Sequence, residues 1–339
     1  MRALRFNGQR VVWDLDAPEP ELRGGEALVR PTVMGVCSMD VGVAGGLVPF
    51  SGVMGHEFVG VVERIADGGY KELVGSRVVG SMSVACGACD LCRKGLSAHC
   101  RVRTVLGLSG RDGCFADRVC VPVRNLHVVP AGVSDEEGVF AELVGAALHT
   151  RQIFKVEGRP FVTVLGDGEL GLLVVQVMAK LNASVRLLGK HAGRLALCDR
   201  WGIKHRMVEE VGLRHDQDVV IDCTGTAQGL ELAMQMVRPR GKIILKGPAW
   251  GTGAAGVQMG VGFGAVRAGV REGVDLSPLV AHEIELIGSR CGSVPEALGA
   301  IATKQIDVLP LISKRGKLAE GVEMLRLAGA GELKVVMAA

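Results

Sequence analysis

Four cysteines, Cys86, Cys89, Cys92 and Cys100, follow one another with the spacing C-x2-C-x2-C-x7-C. Four thiolates so close in sequence can close a tetrahedral shell around Zn²⁺, and a shell with no open position is structural. The charged neighbours Asp90, Arg93 and Lys94 argue against four unrelated core cysteines, and His99 reads as a bystander. A second set is looser: Cys37-Ser38-Met39-Asp40, then Gly55-His56-Glu57. A cysteine and a histidine on separate strand–loop junctions can share a metal with an acid from elsewhere. Taken singly, each reads as a core thiol or a hydrogen-bonded histidine. The third set is Gly166-Asp167-Gly168-Glu169-Leu170-Gly171, a G-x-G-x-x-G between an apolar strand-like run and an apolar helix-like run. In that context the glycines let backbone approach a pyrophosphate, which rests on the positive end of the helix. About 20 residues further on, an acid would hold the ribose hydroxyls of NAD. Here Leu188-Gly189-Lys190-His191 and then Arg194 offer positive charge and no carboxylate, which predicts NADP(H). Solvated surface cations are the other reading of these residues.

The elements that must position these residues fall into two styles. The first ~130 residues are β-rich, with short Val- and Leu-containing runs at Ala27–Arg30, Phe58–Val62, Arg77–Gly80 and Ala116–Val121 punctuated by Gly and Pro. At Ser134-Asp135-Glu136-Glu137 a capping box opens a helix. Strand and helix signals then alternate: strands at Phe161–Leu165, Ser184–Leu188, Asp218–Asp222, Lys242–Leu245 and Ile284–Gly288, with an apolar helix after the glycine turn and a mixed-charge helix over Gly193–Trp201. That alternation predicts a parallel, doubly wound sheet in an α/β protein. The glycine-rich stretch from Gly251 to Gly273 carries no clear period and reads as a long loop at the edge of the nucleotide-binding domain.

Composition bounds the rest. The 339 residues suit about two domains, and the 48% hydrophobic fraction excludes disorder. A net charge of +3 with mixed signs gives no field for nucleic acid or a membrane surface. No run approaches the ~18 uninterrupted apolar residues of a membrane span, and no apolar block of a signal peptide follows Met1. A cytoplasmic location is the expectation, so the ten cysteines point to metal rather than disulfides.

In order along the chain, Gly35-Val36-Cys37-x-x-Asp40, Gly55-His56-Glu57, the four-cysteine lobe and the glycine fingerprint resemble the zinc-containing medium-chain alcohol dehydrogenases, over essentially the whole length. Asp218–Gly225 and Arg238-Pro239-Arg240-Gly241 fit the same pattern. The resemblance implies a GroES-like catalytic domain over 1–133 with a structural zinc lobe, a Rossmann cofactor domain over 134–292, and a C-terminal return to the catalytic domain over 293–339. It implies a catalytic zinc on Cys37, His56 and Glu142, the last as in the sorbitol and threonine dehydrogenase branch, although Leu143 replaces the usual proline. Glu57 would approach the metal as ligands exchange, and Asp40 would fix the His56 tautomer. Gly166, Gly168, Glu169, Leu170, Gly171, Gly189, Lys190, His191, Arg194 and Thr224 would meet the cofactor, with Lys334 at its pyrophosphate.

The implied reaction is hydride transfer between NADP(H), or NAD(H), and a secondary alcohol, polyol or corresponding carbonyl compound. Relatives place Thr or Ser two residues after the ligand cysteine for proton relay; here that residue is Met39, and Ser38 points the other way if the segment is extended. A redox-neutral lyase or epimerase that keeps zinc and cofactor, or a non-catalytic nucleotide-binding regulator, stays open beside the oxidoreductase. A homo-oligomer, dimer or tetramer, is expected from the resemblance.

Overall fold

The long strand Glu26–Val36 organises the first half of the chain. It pairs antiparallel with Glu57–Ile65 and Val119–Pro122, and its C-terminal end pairs with the last strand, Lys334–Ala338. Arg77–Gly80 and Leu126–Val128 extend the sheet beyond Glu57–Ile65, and Ile312–Lys317 extends it beyond the last strand. A smaller sheet joins Val11–Asp14, Ala3–Phe6 and Gly52–Val53. The cysteine lobe is inserted between the first two strands of a third sheet, built from Ser83–Val84, Thr104–Leu106 and Gly110–Arg111. Few aromatics are available, so Phe58, Phe115 and Phe140 anchor a core otherwise built from Val, Leu and Met. The computed structural model describes residues 1–66, 68–153, 157–247 and 273–339. The expected loop from Gly251 lies, except for Gly273, outside the described residues.

Two compact units emerge. Among the described residues, one comprises Met1–Glu142 with Ala297–Ala339, and the other holds those of 143–247 and 273–296. Residues 134–142, expected with the second unit, belong to the first. Their short helix Asp135–Gly138 packs on Glu57–Ile65 and Glu26–Val36, and Thr32 Oγ1 donates to the Asp135 carboxylate at 2.6 Å. Ser134 forms the expected capping box, but the helix ends after four residues, and a second helix, Ala141–Thr150, follows.

The second unit holds a six-stranded parallel sheet. Numbered along the chain, its strands are Phe161–Leu165, Ser184–Gly189, Lys204–Met207, Gln217–Asp222, Val237–Leu245 and Glu285–Gly288. Their spatial order is third, second, first, fourth, fifth, sixth, which is the Rossmann arrangement. The switch point falls beside the first strand, so the turn after Leu165 lies where ligands bind in such sheets. Helix Glu169–Met178 is buried from Gly171 to Met178 and packs on the first two strands. The expected helix over Gly193–Trp201 is two pieces, Ala192–Leu195 and Leu197–Arg200.

Within the glycine turn, a Cβ on Gly171 would lie 1.8 Å from the Gly166 carbonyl oxygen, whereas a Cβ on Gly168 meets nothing within 4 Å. The third glycine is there for packing; the second faces open space. Gly171→Ala should therefore cost about 1–3 kcal/mol of stability, and Gly168→Ala less than about 1 kcal/mol. Thermal unfolding of the two variants checks this; equal losses would refute the distinction.

Candidate metal centre and dinucleotide turn

Cys37 ends the long strand and caps the next helix, Ser38–Ala44. Its backbone is extended, its Sγ accepts the Met39 N–H at 3.2 Å, and Asp40 Oδ2 accepts the Cys37 N–H at 2.9 Å. This reciprocal box fixes the direction of the thiol. It also corrects the expectation of an extended segment: Ser38 and Met39 occupy the first helical turn, with Ser38 exposed and Met39 half-buried. His56 precedes the strand Glu57–Ile65, and its Nε2 faces Cys37 Sγ at 3.1 Å. Its Nδ1 faces Asp40 Oδ1 at 3.4 Å. Asp40 thus faces both residues: Oδ2 accepts the Cys37 N–H, and Oδ1 stands opposite His56 Nδ1 with no hydrogen bond formed among the described residues.

The cluster is sealed from water. Burial pushes the Cys37 thiol up to about 12, although His56 pulls it down. Burial works to lower His56, yet Cys37 and Asp40 hold it well above the ordinary histidine value. An ionised Cys37 here needs a cation beside it, because an unpaired buried charge is costly. A divalent metal against Sγ and Nε2 fits that need, and the soft sulfur and borderline imidazole suit zinc.

Glu57 and Lys334 are both fully buried, with Lys334 Nζ 2.5 Å from Glu57 Oε2. The ammonium also donates to the Val36 carbonyl at 3.4 Å and stands 5.3 Å from the centre of the Phe140 ring. A Cβ on Gly35 would lie 2.5 Å from Glu57 Oε2 and 3.1 Å from Lys334 Cε, so only glycine leaves room for the pair. Lys334 is therefore paired with Glu57 inside the first unit. Burial raises the Glu57 carboxyl, Lys334 and His56 oppose that, and Glu142 adds to it by repulsion. Glu57 Oε1 is buried without a hydrogen-bond partner. Glu142, half-buried in the first turn of Ala141–Thr150, is not in the group formed by Cys37, Asp40 and His56, whose donor atoms all lie within 4.8 Å of one another.

The four lobe cysteines do converge. All four Sγ atoms lie within 4.8 Å of one another. Cys89 Sγ lies 3.5 Å from Cys92 Sγ and 3.9 Å from Cys100 Sγ, and Cys86 Sγ lies 3.9 Å from Cys92 Sγ. A tetrahedron with Zn–S bonds of about 2.3 Å has S···S edges of about 3.8 Å, so the set fits one zinc. Backbone N–H groups, with the Cys92 amide first, lower the Cys89 thiol to about 6. All ten cysteines are free thiols.

In the second unit, Gly168 caps helix Glu169–Met178 without any side-chain hydrogen bond. A Cβ on Gly168 would meet nothing within 4 Å, so the backbone that opens the helix at Glu169 and Leu170 is uncrowded on that side. Thr224 packs beside Gly166, and its hydroxyl and amide both donate to Asp222 Oδ1, at 2.6 and 2.8 Å. Gly189, Lys190 and His191 end the second strand, and Arg194 lies in the helix beyond it. One residue was missed there: the Asp167 carboxylate accepts both the Lys190 and His191 N–H groups.

A β unit with a buried thiol–imidazole pair and a Rossmann unit with a glycine-rich turn make up the described chain. The pattern of the alcohol dehydrogenase GroES-like domain matches residues 23–131. The L-threonine 3-dehydrogenase of Rhizobium etli is 28% identical over 326 residues, covering 86% of this chain and 94% of its own. The alcohol dehydrogenase of Thermus sp. ATN1 is 25% identical, with a TM-score of 0.82 over 100% of this chain and 99% of that one. A Sinorhizobium meliloti protein described as a zinc-binding dehydrogenase, bound to NADP, gives the same identity, TM-score and coverage. Residues 23–131 thus carry the alcohol dehydrogenase GroES-like pattern, and the chain is similar over most of its length to threonine and alcohol dehydrogenases. No helix among the described residues is long and apolar enough to cross a membrane.

The buried pair is testable alone. Lys334→Met leaves a buried carboxylate unpaired and should cost about 3–5 kcal/mol. Adding Glu57→Gln should recover part of that loss, giving a coupling above about 1 kcal/mol in denaturant unfolding. Additive losses would contradict the pairing.

Proposed function

We propose that this chain is a zinc-dependent oxidoreductase that moves hydride between a nicotinamide dinucleotide and a secondary alcohol, polyol or corresponding carbonyl compound. The observation that carries the reading is the buried contact of Cys37 Sγ with His56 Nε2 at 3.1 Å, backed by Asp40. Cys37 and His56 would hold the catalytic zinc, with Glu142 as the third ligand of the sorbitol and threonine dehydrogenase branch. Cys86, Cys89, Cys92 and Cys100 would hold a structural zinc. When bound, zinc polarises the substrate oxygen and the nicotinamide accepts or donates the hydride.

The chain's own residues supply the rest. Asp40 holds His56 so that its Nε2 lone pair faces Cys37 and the metal position. Gly166, Gly168 and Gly171 shape the turn that receives the pyrophosphate, at the uncapped end of the helix opened by Glu169 and Leu170. Met39 has no exchangeable proton, so it cannot serve as the relay that relatives place there. Glu57, next to His56, would be the acceptor for the relayed proton through Oε1, which has no hydrogen-bond partner among the described residues while Oε2 is held by Lys334. The expectation of NADP(H) rested on the lack of an acid at the second strand's end, and the Asp167 carboxylate removes that premise. The first unit is then the catalytic domain, the second the cofactor domain, and a homo-oligomer fits the family.

Zinc-replete protein given 4-deuterated NADH or NADPH should pass deuterium to carbonyl carbon within a panel of ketones and oxidised polyols, with net cofactor consumption. Cys37→Ser should lower kcat/KM by more than about a hundredfold while dinucleotide binding stays within about twofold. Bound cofactor with no deuterium transfer on the whole panel would contradict the proposal. Exchange without net consumption would point to a redox-neutral lyase or epimerase instead.

A further inference from the structure

By sequence, the end of the second Rossmann strand has no acid. In the folded chain it has one. Asp167, the second residue of the glycine fingerprint, is only 5% exposed, and its carboxylate crosses to the strand Ser184–Gly189. Its Oδ2 accepts the Lys190 N–H at 2.9 Å and the His191 N–H at 2.7 Å, and its Oδ1 lies 3.0 Å from His191 Nδ1. A Cβ on Gly189 would stand 2.5 Å from Asp167 Cγ and Oδ2. The carboxylate therefore fills the space into which a strand-end side chain would project, and Gly189 is what leaves that space free.

We propose that Asp167 reads the adenosine ribose of the dinucleotide and selects NAD(H) over NADP(H). The inference rests on the dinucleotide reading of the Gly166–Gly171 turn given above. An ionised carboxylate only accepts hydrogen bonds, and Oδ1 retains acceptor capacity for a ribose hydroxyl, which is a donor. A ribose 2′-phosphate has the opposite character: it brings about −1.5 to −2 charge and needs donors. The two backbone N–H groups that could cradle it are already bonded to Asp167, and the His191 ring faces the same carboxylate. Among the neighbouring cations, the Lys190 side chain is exposed and flexible and holds a phosphate weakly. Arg194 lies in the helix beyond, and the nearly buried Asp167 carboxylate repels a 2′-phosphate brought to this strand end.

The test is equilibrium binding of NADH and NADPH, and of 5′-AMP and 2′,5′-ADP, to the full zinc-replete chain, read by fluorescence and calorimetry without turnover. Wild type should bind NADH about ten- to a hundredfold more tightly than NADPH, with the mononucleotides ranked the same way. Asp167→Asn is isosteric and can keep its oxygen toward both backbone N–H groups, so it should fold. It should weaken NADH and narrow or invert the ratio. The double variant Asp167→Gly with Gly189→Asp returns the carboxylate to the strand end and should restore the preference for NADH. Tighter NADPH binding by wild type, or a ratio unmoved by Asp167→Asn, overturns the inference and leaves the oxidoreductase reading standing. Failure of wild type to bind either dinucleotide overturns that reading itself.

Discussion

A lysine ammonium and a glutamate carboxylate, both without solvent contact, meet 2.5 Å apart at the centre of the first unit. Each would cost several kcal/mol if left alone, so the chain is obliged to bring them together. Lys334 lies on the last strand and Glu57 on a strand from the first fifth of the chain, with Glu26–Val36 between them. The C-terminal segment must therefore return to the first unit, and it must do so in the register that puts Val336 opposite Gly35. Glu57 directly follows His56, so the same pair also steadies the imidazole that faces Cys37. One ion pair thus ties sheet order, strand register and site geometry together.

Around that constraint the chain separates two uses of cysteine. Cys86, Cys89, Cys92 and Cys100 converge as four equivalent donors in a partly exposed lobe, an arrangement that closes on a metal and leaves it nothing further to bind. Cys37 is buried, is paired with one histidine, and is aimed by a helix-capping bond. That set brings one thiol, one imidazole and one carboxylate within 4.8 Å of one another, three different donors where the lobe has four alike. Of the remaining cysteines, Cys114 and Cys198 are fully buried and pack as small apolar groups.

What the sequence made legible was whatever is local. The cysteine spacing, the glycine fingerprint and five of the six Rossmann strands announce themselves within short windows. The third strand, Lys204–Met207, does not, because Lys-His-Arg-Met at a sheet edge has neither apolar alternation nor a buried run. Cys37 escaped as a helix cap because a thiol is a rare cap and Ser38-Met39 reads equally well as strand. Lys334 and Glu57 are 277 residues apart, so no window joins them. Asp167 was in view as a filler position of the fingerprint, but its reach to Lys190 and His191 is a property of the folded turn. The placement of Glu142 outside the Cys37, Asp40 and His56 group was equally invisible, since a ligand taken from a family pattern carries no distance.

The account stands on a catalytic metal held by Cys37 and His56. Anomalous diffraction at the zinc edge, from crystals of the zinc-replete protein, tests it directly. The account predicts two peaks per chain: one among the sulfurs of Cys86, Cys89, Cys92 and Cys100, the other against Cys37 Sγ and His56 Nε2. A single peak at the four-cysteine lobe, with Cys37 and His56 still in direct contact, would contradict it.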